Sequence, residues 1–303
     1  MLKKCQEQYS EFFSFPLTEK ELLIFIGWNI ERGLKASTIK SYLSGIKAWH
    51  RGQGWGEIST DTPMIISVLK GEFNINLEKQ RNNPSENVRL PCTPNIMRLL
   101  KLEIKCSDFS IHDKAVLWST CCLLYAGALR AGELLCEKES TFDPATNPTK
   151  NDIKLINISN SSDEVIQIRI KRGKCNRSGK PEIVDIYPSN NNLCPLKAFK
   201  KLQHVTSKFD DDKPFFRLES GKNLTLDKFN EILKNLTKPY VKGGYISGHS
   251  FRSGLISLFA DMGLSEEDLR AIGRWSSRSF ELYIKLDRTN RAQIARLIAN
   301  SEL

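Results

Sequence analysis

Apolar residues recur along most of this chain at helical spacing, and in one stretch they alternate instead. Pro16, Leu17 and Thr18 precede ELLIFIGWNIERG, a run that predicts a helix stopping at Gly33. Ser37 is the expected cap of the next helix, TIKSYLSGIKAWHRG. There Ile39, Leu43, Ile46 and Trp49 or His50 form an apolar stripe, and Lys40, Ser44, Lys47 and Arg51 form a separate polar one. His50, on the apolar flank, is expected to pack. Residues 1–77 therefore read as a helical domain. The polar stretch 78–94, with Asn-Asn-Pro and Leu-Pro, reads as a linker.

Beyond it, NIMRLLKLEI, AVLWSTCCLLYAG, LKAFKKLQHV, LDKFNEILKNL and SGLISLFADMG all carry helical spacing. Ser265 to Asp268 forms a capping box before a further helix, and Ser279 is placed to cap a short one bearing Tyr283. In 166–188 the pattern changes: Ile166, Ile168 and Ile170 alternate, as do Ile183 or Val184 and Ile186, with Gly and Ser between. This predicts a β-hairpin. Its tip gathers Arg169, Lys171, Arg172, Lys174, Arg177 and Lys180.

The chain has 303 residues, enough for two domains with cores of their own. Its net charge of +10 is uneven: 12 basic against 10 acidic residues up to position 90, and 33 against 25 beyond. A basic excess in the later part favours a polyanionic partner through counterion release. The eight cysteines form no C-x-x-C pair and the four histidines lack metal spacing, so neither a zinc site nor any cofactor is expected. Several cysteines fall in apolar runs, as reduced buried thiols of an intracellular protein would. No apolar stretch is long enough for a bilayer, so no membrane partner is expected.

The densest chemistry lies in GHSFRSG and GRWSSRSFELYI, residues 248–254 and 273–284. Arg252 offers a planar fork of donors for phosphate oxygens. His249 and the Trp275 indole can donate to a remaining oxygen. The Tyr283 phenol can act as a covalent nucleophile. Without a nearby carboxylate cluster to hold a metal, cationic side chains would stabilise the transition-state charge. Upstream, LLYAGALRAGELL (123–135) sets Arg130 three positions before Glu133, a spacing that allows them to pair. Taken alone, this segment reads rather as an amphipathic core helix with a surface ion pair.

Together, H-x-x-R followed by G-R-W-S-S-x-x-F-x-x-Y-I resembles the C-terminal signature of tyrosine recombinases. The eight positions from Trp275 to Tyr283 resemble the eukaryotic mobile-element branch, the DIRS, Ngaro and Crypton recombinases. The resemblance implies a mainly α fold with a small β-hairpin or sheet. It further implies a helical, SAM-like core-binding domain (1–77) and a catalytic domain (95–303) clamped around double-stranded DNA. By the family's pattern Arg130 and Arg252 bind the scissile phosphate, Glu133 orients Arg130, and His249 and Trp275 donate to non-bridging oxygens. Tyr283 would form the 3′-phosphotyrosine. Lys174 matches the general-acid lysine through Gly179 and Val184, with Lys171 as the alternative. Lys40, Ser44, Lys47, Arg51, Lys171, Arg172 and Arg177 are the candidate DNA contacts. The resemblance also implies a nuclear protein that pairs as a dimer on each site and a tetramer in synapsis, linked by a C-terminal exchange helix. A type IB topoisomerase-like strand relaxer and a domesticated DNA-binding protein remain open as alternatives.

Overall fold

The computed structural model describes residues 1–82, 88–157, 164–171, 181–207 and 213–275. The chain divides into two compact units, residues 1–85 and 86–303.

The first unit is helical: α1 (Leu2–Gln8), α2 (Glu19–Glu31), α3 (Ala36–Gly52) and α4 (Pro63–Asn82). Thr18 and Glu21 close the capping box that starts α2, and Gly33 takes a positive φ of 73° just past its end, as the sequence predicts. Helix α3 begins one residue before the expected cap: Lys35 holds the N-cap position and Ser37 lies inside the first turn. Ile39, Leu43, Ile46 and His50 face the core, with Phe25, Ile26, Ile65 and Leu69 packed among the same buried residues. His50, rather than Trp49, completes the stripe, and its Nδ1 lies 3.1 Å from the Gly56 carbonyl oxygen. Helix α4 runs through Asn82, so the first residues of the expected linker are helical.

The second unit holds α5 (Pro94–Cys106), α6 (Ile111–Ala126), a single-turn α7 (Ala131–Leu134), strands β1 (Ile153–Asn157), β2 (Glu164–Ile170) and β3 (Glu182–Ile186), then α8 (Pro195–Val205), α9 (Leu226–Thr237), α10 (Gly248–Asp261) and α11 (Glu266–Gly273). Thr93, Ser110, Thr225 and Ser265 each accept an N–H of the first turn that follows. The predicted hairpin is β2–β3, antiparallel, with Ile168 opposite Val184 and Ile166 opposite Ile186. A strand that the sequence reading did not mark, β1, pairs antiparallel with the other edge of β2. Ile166, Ile168, Ile170 and Ile186 enter the core built on α5, α6, α8 and α9, whereas Ile183 is exposed. Six of the seven described cysteines are buried and Cys106 is exposed; all seven are free thiols.

Candidate active site

A sharp turn between α6 and α7 builds the first part of the site. Gly127 caps α6 where no side chain fits: an added Cβ would lie 2.8 Å from Ile186 Cδ1 and 3.0 Å from the Leu123 carbonyl oxygen. Ala128 then takes a positive φ of 44°. That reversal delivers Arg130 as the N-cap residue of α7 with Glu133 at its third position. Glu133 Oε2 accepts the Arg130 backbone N–H at 2.9 Å while Oε1 accepts Arg130 Nη1 at 2.9 Å. The predicted pair thus forms on a capping turn. Its carboxylate is buried, at 3 % side-chain exposure against 20 % for Arg130.

A second arginine shares that carboxylate. Arg274 Nη2 donates to Glu133 Oε2 at 2.7 Å, and its Nη1 donates to Glu182 Oε2 at 3.2 Å. Burial pushes the Glu133 carboxyl up. The Arg274 guanidinium, together with the hydrogen bonds from Arg274 and Arg130, outweighs this and holds the pKa below its ordinary value. Sequence reasoning missed Arg274; its only signal is its place inside the G-R-W segment, directly after a helix end.

Helix α10 supplies the second part. Its first residue, Gly248, lies so close to α7 that an added Cβ would stand 2.4 Å from the Ala131 Cβ, and its N–H donates to Asn230 Oδ1 at 2.8 Å. On its flank Gly254 abuts the chain at Cys92, where a Cβ would lie 1.9 Å from the carbonyl oxygen. Phe251 stacks on Phe229 with centroids 6.0 Å apart. These contacts fix the helix by backbone approach on one side and ring packing on another.

His249, half-buried, and Arg252 lie one turn apart on α10. Arg252 is fully buried. Its Nη1 donates to the Ala128 carbonyl at 2.7 Å and its Nη2 donates to the Gly273 carbonyl. The Trp275 ring covers it, with the guanidinium carbon 4.7 Å from the ring centroid, a cation–π contact. Arg252 therefore ties the arginine turn to the end of α11. In this state its fork serves backbone carbonyls and is closed to a phosphate.

The basic positions behave differently from a uniform binding face. Lys171, just beyond β2, reaches back to Asp152 Oδ2 at 2.5 Å and to the Pro144 carbonyl at 2.7 Å. With 16 % of its side chain exposed, it is built into the sheet's support. Burial pushes the Asp152 carboxyl up, but hydrogen bonds from Lys171 and Thr149 hold it below its ordinary value. On α3, Lys40 and Ser44 are exposed, Ser44 Oγ donating to the Lys40 carbonyl at 3.0 Å. Lys47 pairs with Glu57 at 3.6 Å, and Arg51 also pairs with Glu57. Lys174, Arg172, Arg177, Tyr283 and the expected C-terminal exchange helix lie outside the described residues.

No family model matches the chain. The tyrosine recombinase XerC of Rickettsia prowazekii (strain Madrid E) is 32% identical over 96 residues, which is 32% of this chain and 29% of that protein. Among solved structures, the Tn1549 transposon integrase in complex with transposon right end DNA aligns with a TM-score of 0.56 at 15% identity, covering 99% of this chain and 92% of that one. The XerH site-specific recombinase bound to a palindromic difH substrate, in its post-cleavage complex, also aligns with a TM-score of 0.56. Its identity is 14%, over 98% of this chain and 76% of that one. The mainly helical fold with its three-stranded antiparallel sheet is the fold of these enzymes. The sequence likeness to a recombinase is confined to 96 residues, and across the rest of the chain the likeness to these structures is one of fold.

Proposed function

We propose that the protein is a site-specific DNA recombinase that cuts and rejoins strands through a 3′-phosphotyrosine. The observation that carries this reading is the convergence of three elements remote in sequence. The Arg130–Glu133 turn, the His249–Arg252 face of α10 and Trp275 are joined by Arg252 hydrogen bonds to Ala128 and Gly273. Such a cluster gathers cations for phosphate charge rather than carboxylates for a metal.

In the proposed reaction Arg130 and Arg252 hold the scissile phosphate of double-stranded DNA, with Arg252 exchanging its backbone carbonyls for phosphate oxygens. His249 takes the phenolic proton as Tyr283 Oη attacks phosphorus in line, and His249 and Trp275 donate to non-bridging oxygens. The bond to the 5′ oxygen breaks, and Lys174 protonates that oxygen as it leaves. Attack by a 5′ hydroxyl on the phosphotyrosine reverses the sequence, so the phosphoryl bond is conserved without ATP or metal. The local sequence match to a recombinase and the basic excess beyond residue 90 favour this reading. The spacing of G-R-W-S-S to Tyr283 extends it to a eukaryotic mobile-element recombinase acting in the nucleus. It would bind as a dimer on each site and a tetramer in synapsis.

The test uses nicked suicide duplexes randomised around the nick, followed on a denaturing gel. Wild-type protein should form a covalent adduct that EDTA leaves unchanged, and Tyr283→Phe should bind DNA but form none. An adduct of undiminished yield with Tyr283→Phe, or none with the wild type, overturns the proposal.

A further inference from the structure

Arg274 takes no part in the chemistry above, yet its backbone is costly. It ends α11 at φ 50°, ψ 49°, a left-handed conformation that costs a non-glycine residue about 1–2 kcal/mol. Glycine would hold the same turn without strain. The turn itself therefore gives no reason for an arginine, and the side chain does. The side chain is 12 % exposed, and its guanidinium lies between two carboxylates from different elements, Glu133 of α7 and Glu182 of β3. Glu133 in turn divides its oxygens: Oε2 takes Arg274 and the Arg130 N–H, and Oε1 takes the Arg130 guanidinium.

We propose that Arg274 is a positioning residue for Arg130. By holding Glu133 Oε2 it fixes the plane of the carboxylate, so that Oε1 presents the Arg130 guanidinium in one orientation. Glu182 supplies the countercharge that lets a second arginine sit so close to the first. Without Arg274, only the Arg130 N–H holds Glu133 Oε2, so the carboxylate can rock and the Arg130 guanidinium loses its single orientation toward phosphate. Arg274 also stands next to Trp275, so the contact fastens the start of the tyrosine-bearing segment to the arginine turn. The inference rests on the strand-transfer reading of this site.

Three variants separate positioning from backbone and from charge. Arg274→Gly removes the side chain and relieves the left-handed strain. Arg274→Lys keeps a cation. Arg274→Gly with Glu182→Gln restores the net charge. On the randomised nicked duplexes, Arg274→Gly and the double variant should form adduct about 10- to 100-fold more slowly, the scale of a misplaced catalytic group. DNA affinity should change little, and Arg274→Lys should recover part of the rate. Arg274→Gly cleaving at the wild-type rate overturns the proposal, as does a double variant restored to that rate, which would reduce the effect to charge. A wild type that forms no adduct sinks the strand-transfer reading separately. In that event nitrogen-15 NMR of the arginine side chains still decides positioning. Rotation about the Arg130 Nε–Cζ bond should quicken in Arg274→Gly, and unchanged rotation refutes the claim.

Discussion

Replacing Glu133 by glutamine removes one charge from the most connected carboxylate in the site and leaves its shape. Two guanidinium groups would then share a neutral amide in a place where the wild-type side chain is 3 % exposed. Removing one partner of a buried ion pair costs about 3–5 kcal/mol. Arg274 keeps Glu182 and Arg130 is partly solvated, so about 2–3 kcal/mol is expected here. For a unit of this size, residues 86–303, that corresponds to a fall in Tm of about 5–10 °C. The pH dependence carries an independent sign. The carboxyl titrates at about 4.3 when unfolded and lower when folded. As pH falls through that region the unfolded chain binds more protons, so the pair's contribution is complete above about 4.3 and is lost toward the folded value. The stability gap between wild type and Glu133→Gln should therefore be full at neutral pH and narrow on acidification. Calorimetric scans over a pH series read both quantities. A variant within about 1 °C of wild type at neutral pH, or a gap that stays constant into acid, would refute the assignment of Glu133 as an ionised anchor.

Two further outcomes follow from the same geometry. An added Cβ at Gly273 would lie 2.2 Å from two Trp275 ring atoms, so Gly273→Ala should push the indole off Arg252 and cost about 1–3 kcal/mol. The Trp275 fluorescence, isolated by subtracting a Trp275→Phe spectrum, should shift, and an unchanged spectrum would contradict the packing. Lys171→Ala should cost about 2–3 kcal/mol, because it strands the buried Asp152 carboxylate, and a 5′-bridging phosphorothiolate should not correct that loss. Lys174→Ala should fold normally, cleave an ordinary substrate poorly and be rescued by the phosphorothiolate, whose thiolate leaves without a proton; rescue of Lys171→Ala instead would transfer the acid role to Lys171.

What the sequence disclosed depended on whether a feature had a period or a side-chain signature. The β2–β3 hairpin was legible because Ile166, Ile168 and Ile170 alternate into the core. Strand β1 was not, since it is five residues long and buries fully only Ile153. Helix α7 is a single turn, too short for any periodicity. Ser37 looked like a cap by residue type, but the chain had already entered α3 at Ala36. The site divides along the same line. The Arg130–Glu133 pair is local, and its spacing announces it. The sequence marks Arg252 as a candidate phosphate ligand but not as a buried tie, because the partners it holds are the carbonyls of Ala128 and Gly273. Any residue type carries a carbonyl, so no side-chain pattern could point to them. Those two carbonyls are available because the chain reverses beside each, with Ala128 itself and Arg274 next to Gly273 at positive φ. The same backbone turns thus place the two reading-proof features of the site together: an arginine held by main chain, and an arginine whose strained position only its two carboxylate partners explain.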